Sequence, residues 1–417
     1  MLARAQRRTG LALLALLTSS CGAKTGLEAP DAPNDAVILP DAAVPPRTCI
    51  EVPPMGRVRA ALTLPANLRV VDVMFVIDSS GSMQDEIDAV RGGLRERVVP
   101  RIRSIIPDAA FGVALFGEFP VEPHARPESG VLPYLLRTPL TTDIGRVEVS
   151  LESTPVWGNL DYPEAGVEAL FQVMTGEGLS PWIPASTGCA SGGAGGACFR
   201  SDSFHVAIVI TDAPFHNGPP TVPPFDPYFF RPAPHSYADM IAAALRTDTL
   251  VLGLSASDFG TDGGLDHLRQ IARDTGAVDA RGEPFAFDIG GDGSGIGDQV
   301  VRSVQRLAEG VPLDVDAIVE DVSGDAIDAR TLVTRVIPAS ANPASNVGAI
   351  EADSFRRVVP GTELTFDLEV DATALPPSTE RREIPARLVL RESRRARLGS
   401  VNILIVIPGS DGRGCEP

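Results

Sequence analysis

Residues 70–83 read VVDVMFVIDSSGSM, and the fold turns on how they are interpreted. Positions 70–77 are apolar apart from Asp72, the pattern of a strand buried on both faces. Asp78-Ser79-Ser80-Gly81-Ser82-Met83 then stands where that strand ends and a helix begins. In open α/β sheets, ligands sit just outside the carboxyl ends of the strands. One carboxylate and two hydroxyls at alternate positions of a tight loop present hard oxygen donors to one point, which suits Mg²⁺, Mn²⁺ or Ca²⁺. The same residues also read as caps of the following helix. Two further acids occupy equivalent positions: Asp212 after the apolar run 206–211, and Glu118 after 111–116. A buried carboxylate loses hydration unless a positive charge compensates it. No Lys or Arg lies beside these motifs, so a cation is the expected compensation. Residues 158–166, GNLDYPEAG, add an oxygen-rich loop leading into a helix.

Outward from this stretch, strand and helix patterns alternate. Ile87, Val90, Leu94, Val98 and Ile102 recur at helical steps, as do residues 164–174, 237–245, 265–272 and 300–307. Strands are predicted at 111–116, 206–210 and 249–254. The economical fold is α/β, a doubly wound parallel sheet over residues 66–310. After Pro312 the helical spacing disappears. Short runs at 313–319, 332–337, 364–370, 384–390 and 401–407 predict a small all-β sandwich over 311–410, with a tail at 411–417. Residues 22–65 read as tether and lead-in, because 22–46 carry five prolines and few large apolar groups. Arg4, Arg7 and Arg8, an apolar run 11–17 and the small residues before Cys21 read as an export signal over 1–21. That run is too short for a bilayer core of ~30 Å.

Acids outnumber Lys plus Arg by 54 to 36, and the resulting charge of −18 argues against nucleic acid and anionic lipid surfaces as partners. Five cysteines without a C-x-x-C spacing argue against a metal–thiolate site. In an exported chain they can oxidise. Cys189 and Cys198 bracket a Gly/Ala-rich stretch and suggest a local disulfide, which leaves Cys49 and Cys415, though all three pairings of these four stay open. No G-x-S-x-G accompanies the histidines. Ser80 fills the second position of the D-x-D expected of an aspartyl phosphotransferase, and the glycine-rich loop 290–297 lacks a P-loop lysine. That loop reads as a hinge before the last helix, and His216 as a hydrogen-bonding loop residue. Trp157, Trp182, Tyr228, Phe229 and Phe230 fall in rim segments as contact residues or loop packing. The chain is not read as an enzyme.

Asp78-Ser-Ser-Gly-Ser82 resembles the metal-ion-dependent adhesion site of von Willebrand factor A domains, and the remainder resembles the I-like domain of integrin beta subunits. Four motifs in family order carry this: Asp78 to Met83 with Asp85-Glu86 after it, Phe116-Gly-Glu118-Phe-Pro120, residues 158–166, and Thr211-Asp212-Ala-Pro-Phe-His216. The resemblance implies that Ser80, Ser82 and Glu164 touch a central Mg²⁺ or Mn²⁺, that Asp78 and Asp212 hold it through water, and that a carboxylate presented by a protein ligand completes it. It implies flanking Ca²⁺ at Asp85 and Glu86 with the Ser82 carbonyl, and at Glu118, Asn159, Asp161, the Pro163 carbonyl and Glu164. Glu86 and Glu118 replace shorter acids of the family. The loop 189–198 and the proline-rich stretch 214–234 are expected to rim the same crevice. The segment ending in Cys21 is similar to a bacterial lipoprotein signal, although Thr18 departs from the usual leucine. Together these imply an adhesion protein lipid-anchored in the bacterial envelope, with the outer membrane the expected location, and a metal-stapled structural module or a metal-dependent hydrolase as alternatives.

Overall fold

The computed structural model describes residues 48–189, 192–256, 264–279, 281–290, 295–392, 396–410 and 412–415. The signal 1–21 with Cys21, and the tether 22–46, lie outside them. The chain enters through β1 (Thr48–Glu51) and β2 (Arg57–Pro65). β3 (Val70–Asp78) follows, then a 3₁₀ turn, α1 (Gln84–Gly93), a π-helical segment Leu94–Val98 and α2 (Val99–Ile105). Next come β4 (Asp108–Phe116), β5 (Leu135–Thr141), α3 (Ile144–Glu152), α4 (Gly166–Thr175) and β6 (Phe204–Thr211). α5 (Tyr237–Arg246), β7 (Thr249–Ser255), α6 (Gly264–Asp274), β8 (Ala286–Asp288) and α7 (Ile296–Gly310) complete the α/β part. The remainder is β9 (Leu313–Asp321), β10 (Val333–Asn342), β11 (Ala349–Ile350), β12 (Ser354–Val358), β13 (Glu363–Asp371), β14 (Arg382–Glu392) and β15 (Ala396–Ile407).

The α/β sheet has the order β5-β4-β3-β6-β7-β8, parallel except for β5. Successive side chains of a strand face opposite ways. Val73, Phe75 and Ile77 of β3 therefore enter a core shared with Ile87, Ile102 and Val300, while Met74 and Val76 meet Leu170, Met240 and Ile271 behind the sheet. Covered on both faces, β3 is apolar throughout except at its two aspartates. The periodic run 87–102 is one helix in pattern but two in the structure. Pro100 sits in the first turn of α2, where its missing N–H costs no intrahelical bond, and the π segment precedes it.

The sandwich differs from the sequence expectation at its start. Residues 48–65, read as lead-in, are two of its strands. β1 runs parallel to β15, and β2 pairs with β13 over Arg57–Pro65. The sheets are β1-β15-β14-β9-β12-β11 and β10-β13-β2. The α/β part is thus inserted between β2 and β9, and a disulfide joins Cys49 to Cys415 near the two ends of the described residues. α7 passes through buried Val311 into β9, so its last turn is tied to the sandwich core. No helix among the described residues is long and apolar enough to cross a membrane.

Candidate metal centre

Asp78 ends β3 fully buried. Its Oδ1 accepts the Ser80 N–H at 2.9 Å, and its Oδ2 accepts the Thr211 hydroxyl at 2.6 Å from the neighbouring strand β6. Ser80 occupies the N-cap position of the 3₁₀ turn, but its hydroxyl makes no capping bond and lies 3.1 Å from the Ser82 hydroxyl. The capping alternative therefore does not account for Ser80.

Glu164 arrives from the 158–164 loop. Its N–H donates to Pro214 O and its carbonyl accepts from His216 N, both at 3.0 Å, so the loop is stitched to the segment after β6. Gly166 permits this closeness, since a Cβ there would lie 2.4 Å from the Phe215 ring. Oε1 of Glu164 accepts from Asn159 Nδ2 at 2.6 Å, whereas Oε2 is buried without a hydrogen-bond partner. Asp212 follows β6, and its carbonyl accepts from Tyr162 at 3.1 Å.

Electrostatics set this pocket apart. Burial, then the charge of Asp212, pushes the Asp78 carboxyl up to about 7. Glu164 is held well above the usual carboxylate range by burial, then by Asp78 and Glu118. Burial likewise raises Glu118, against hydrogen bonds from Tyr228 and the Phe119 N–H. Among the ion pairs of the described residues, none joins Lys or Arg to Asp78, Glu118 or Glu164. Buried oxygen donors with an unpartnered carboxylate oxygen and no internal cation fit a hard dication.

The flanking residues divide. Glu86 is buried on α1, while the side chain of Asp85 lies outside the described residues. Asn159 donates to Glu164 and to the Asp161 carbonyl at 3.0 Å, and Pro163 immediately precedes Glu164 in the same turn. Asp161 turns instead toward two histidines: Oδ2 lies 2.6 Å from His124 Nδ1 and 3.1 Å from His216 Nε2. Burial works the other way, yet these hydrogen bonds hold the Asp161 carboxyl below its ordinary range. His124 escaped the sequence reading because it lies 37 residues from Asp161 with no short metal-ligand spacing to mark it.

The rim is also only partly as expected. The stretch 214–234 does border the site: Tyr228 donates to Glu118 at 2.5 Å, and Trp182, Tyr228 and Phe230 pack edge-on against Phe119 at 5.1 to 5.3 Å between ring centres. Phe229 points outward, 88% exposed. The loop closed by the Cys189–Cys198 disulfide is elsewhere. Ala197 bonds Val173 near the C-terminal end of α4, and Arg200 just beyond reaches Asp72 at the far end of β3. α4 runs from the site to the opposite edge, which carries this loop away from the crevice.

No family model matches the chain. Human integrin beta-6 is 25% identical over 163 residues, which are 36% of this chain and 18% of that protein. Human integrin beta-4 is 27% identical over 163 residues, 35% of this chain and 8% of that protein. The chain thus spans less than a fifth of the length of these relatives. Among solved structures, a von Willebrand factor type A protein from Catenulispora acidiphila aligns at TM-score 0.35 and 12% identity, covering 87% of this chain and 72% of its own. The pilus adhesin SpaC of Lactobacillus rhamnosus GG aligns at 0.34 and 13% identity, covering 85% and 45%.

Proposed function

Starting from a von Willebrand A domain similar to the I-like domain of integrin beta subunits, we propose that this protein binds a protein ligand at the cell surface through a divalent cation held by Asp78, Ser80, Ser82, Glu164 and Asp212. Ser80, Ser82 and Glu164 hold Mg²⁺ or Mn²⁺ directly, Asp78 and Asp212 hold it through water, and a carboxylate of the ligand completes it. Ca²⁺ occupies the neighbouring position at Asp85 and Glu86. The observation that carries this reading is the buried carboxyl cluster around Asp78, whose members are pushed toward protonation by burial and then by one another's charge, and whose Glu164 Oε2 has no hydrogen-bond partner. The bound cation supplies that charge and polarises the ligand carboxylate. The protein works by binding and not by turnover, anchored through Cys21 to the bacterial envelope, in the outer membrane.

Calorimetric titration of the full chain with Mg²⁺ tests the reading. One binding event is expected, absent from Asp78→Ala. No event in the wild type, or an unchanged one in the variant, rejects it. A Mg²⁺-dependent melting temperature without any chelator-sensitive ligand in pull-downs from native envelopes supports a metal that merely staples the domain.

A further inference from the structure

Beside the central pocket lies a cluster of different chemistry. His124 from the loop after β4, Asp161 from the 158–164 loop and His216 from the loop after β6 bring ligand atoms within 4.8 Å of one another. His216 Nε2 lies 3.1 Å from Asp161 Oδ2 and 3.5 Å from Glu118 Oε2, with the His216 and Glu118 side chains fully buried. Nδ1 of His216 lies 3.0 Å from the Asp226 carbonyl, which can only accept. In the neutral ring Nδ1 therefore carries the hydrogen, and Nε2 presents a lone pair. That lone pair faces two carboxylates, of which Glu118 Oε2 and Asp161 Oδ1 have no hydrogen-bond partner. Acceptors converging from separate loops on one buried point are well satisfied by a cation between them.

We propose that His124, His216 and Asp161, with Glu118 as a fourth donor, form a transition-metal site for a dication of the zinc class. Imidazole nitrogen suits Zn²⁺ and its first-row neighbours, whereas Ca²⁺ and Mg²⁺ take oxygen. Two neutral imidazoles and two carboxylates balance the charge of one dication. The Nδ1–carbonyl contact of His216 is the outer bond that fixes the tautomer and orientation of a metal-ligating histidine. Where the resemblance implies an all-oxygen Ca²⁺ site, this chain has turned Asp161 to two histidines. Tyr228 packs its ring 4.4 Å from that of His216 and 5.1 Å from that of His124, so an aromatic wall closes the cluster. The ion would cross-link three loops beside the central site, two of which already share the Leu160 N–H to His124 carbonyl bond at 2.8 Å. The site stands independently of the adhesion reading.

The test is Zn²⁺ titration of the metal-stripped full chain in excess Mg²⁺, paired with the visible spectrum after Co²⁺ replacement. One Zn²⁺ per chain is expected, with affinity falling ~10-fold or more in His124→Gln and in His216→Gln, and unchanged in Asp78→Ala and in the control His205→Gln. Co²⁺ should give the strong bands of a nitrogen-ligated, low-coordinate ion. The proposal is overturned if no Zn²⁺ binds, if His124→Gln binds it as the wild type does, or if Co²⁺ shows only the faint spectrum of six oxygens. The last result would mean that the histidines simply donate to Asp161. Because Asp78→Ala removes Mg²⁺ and spares Zn²⁺, failure of either site is read separately. Should His216→Gln not fold, His124→Gln and the cobalt spectrum still decide.

Discussion

Asp72 and Asp78 stand near opposite ends of one strand, both fully buried, and are satisfied in opposite ways. Asp72 Oδ1 accepts from the Arg200 guanidinium at 2.7 Å, and its Oδ2 accepts the Arg200 N–H at 2.6 Å and the Ser203 hydroxyl at 2.7 Å. Asp78 has neutral donors and acidic neighbours. Glu168 on α4 lies between these cases: buried, it accepts from His235 N–H at 2.8 Å and from the ring Nδ1 at 3.0 Å. One buried carboxylate thus has a permanent internal cation, one a titratable cation, and one none among the described residues. An arginine serves the buried acid at one end of the strand, and on the function proposed above a cation from solution serves the acid at the other.

The comparison breaks most visibly at its structural end. Arg200→Met should destabilise the protein by about 3–5 kcal/mol, because it strands a buried charge. Urea unfolding should give the same loss with Mg²⁺ and with chelator; a loss that depends on Mg²⁺ would erase the contrast. At the other end, Mg²⁺ at about a hundred times its dissociation constant should stabilise the wild type by about 2.7 kcal/mol, and Asp78→Ala not at all. Thr211→Val should cost about 1.5 kcal/mol in the Mg²⁺-bound form by removing a hydrogen bond to the charged Asp78, and calorimetry should show weaker Mg²⁺ binding.

The pH dependences differ in sign and sharpen the contrast. The folded Asp78 carboxyl, up at about 7, holds its proton more tightly than in the unfolded chain. Without metal, stability is therefore greatest below about pH 4 and falls as pH rises through about 7, while saturating Mg²⁺ abolishes the fall. Melting curves at pH 5 and 8, with and without chelator, check this. Burial pulls the His235 ring down, but its hydrogen bond to Glu168 dominates and raises it. Its contribution is fully present below about pH 6.5 and is lost as pH rises through the raised value. His235→Gln should accordingly cost under about 1 kcal/mol at pH 6 and less at pH 9, a difference that denaturant midpoints resolve.

The chain's own order explains what could be read from sequence. β3, β4, β6 and β7 are central strands written as continuous apolar runs, so the sheet and the acids at its strand ends were legible. β2 was not, because its alternating RVRAALTLP follows a proline-rich tract and its partner β13 lies some 300 residues away. β5 is a short antiparallel edge strand interrupted by Pro139, with no apolar run to mark it. The Arg200–Asp72 pair spans 128 residues, beyond any local pattern. Asp78, Glu118 and Asp212 were found by their place at strand ends, and Glu164 by the oxygen-rich 158–166 loop and its resemblance to a family motif. His124 sits in a loop whose course alone brings it to Asp161, and no spacing encodes that.

Crystals of the full chain grown in MnCl₂, measured at the manganese absorption edge, test the central claim most directly. The account predicts an anomalous peak among Ser80, Ser82 and Glu164, with Asp78 and Asp212 behind it. A map empty at that point, with the three carboxyl and two hydroxyl groups bonded only to one another and to solvent, would contradict it.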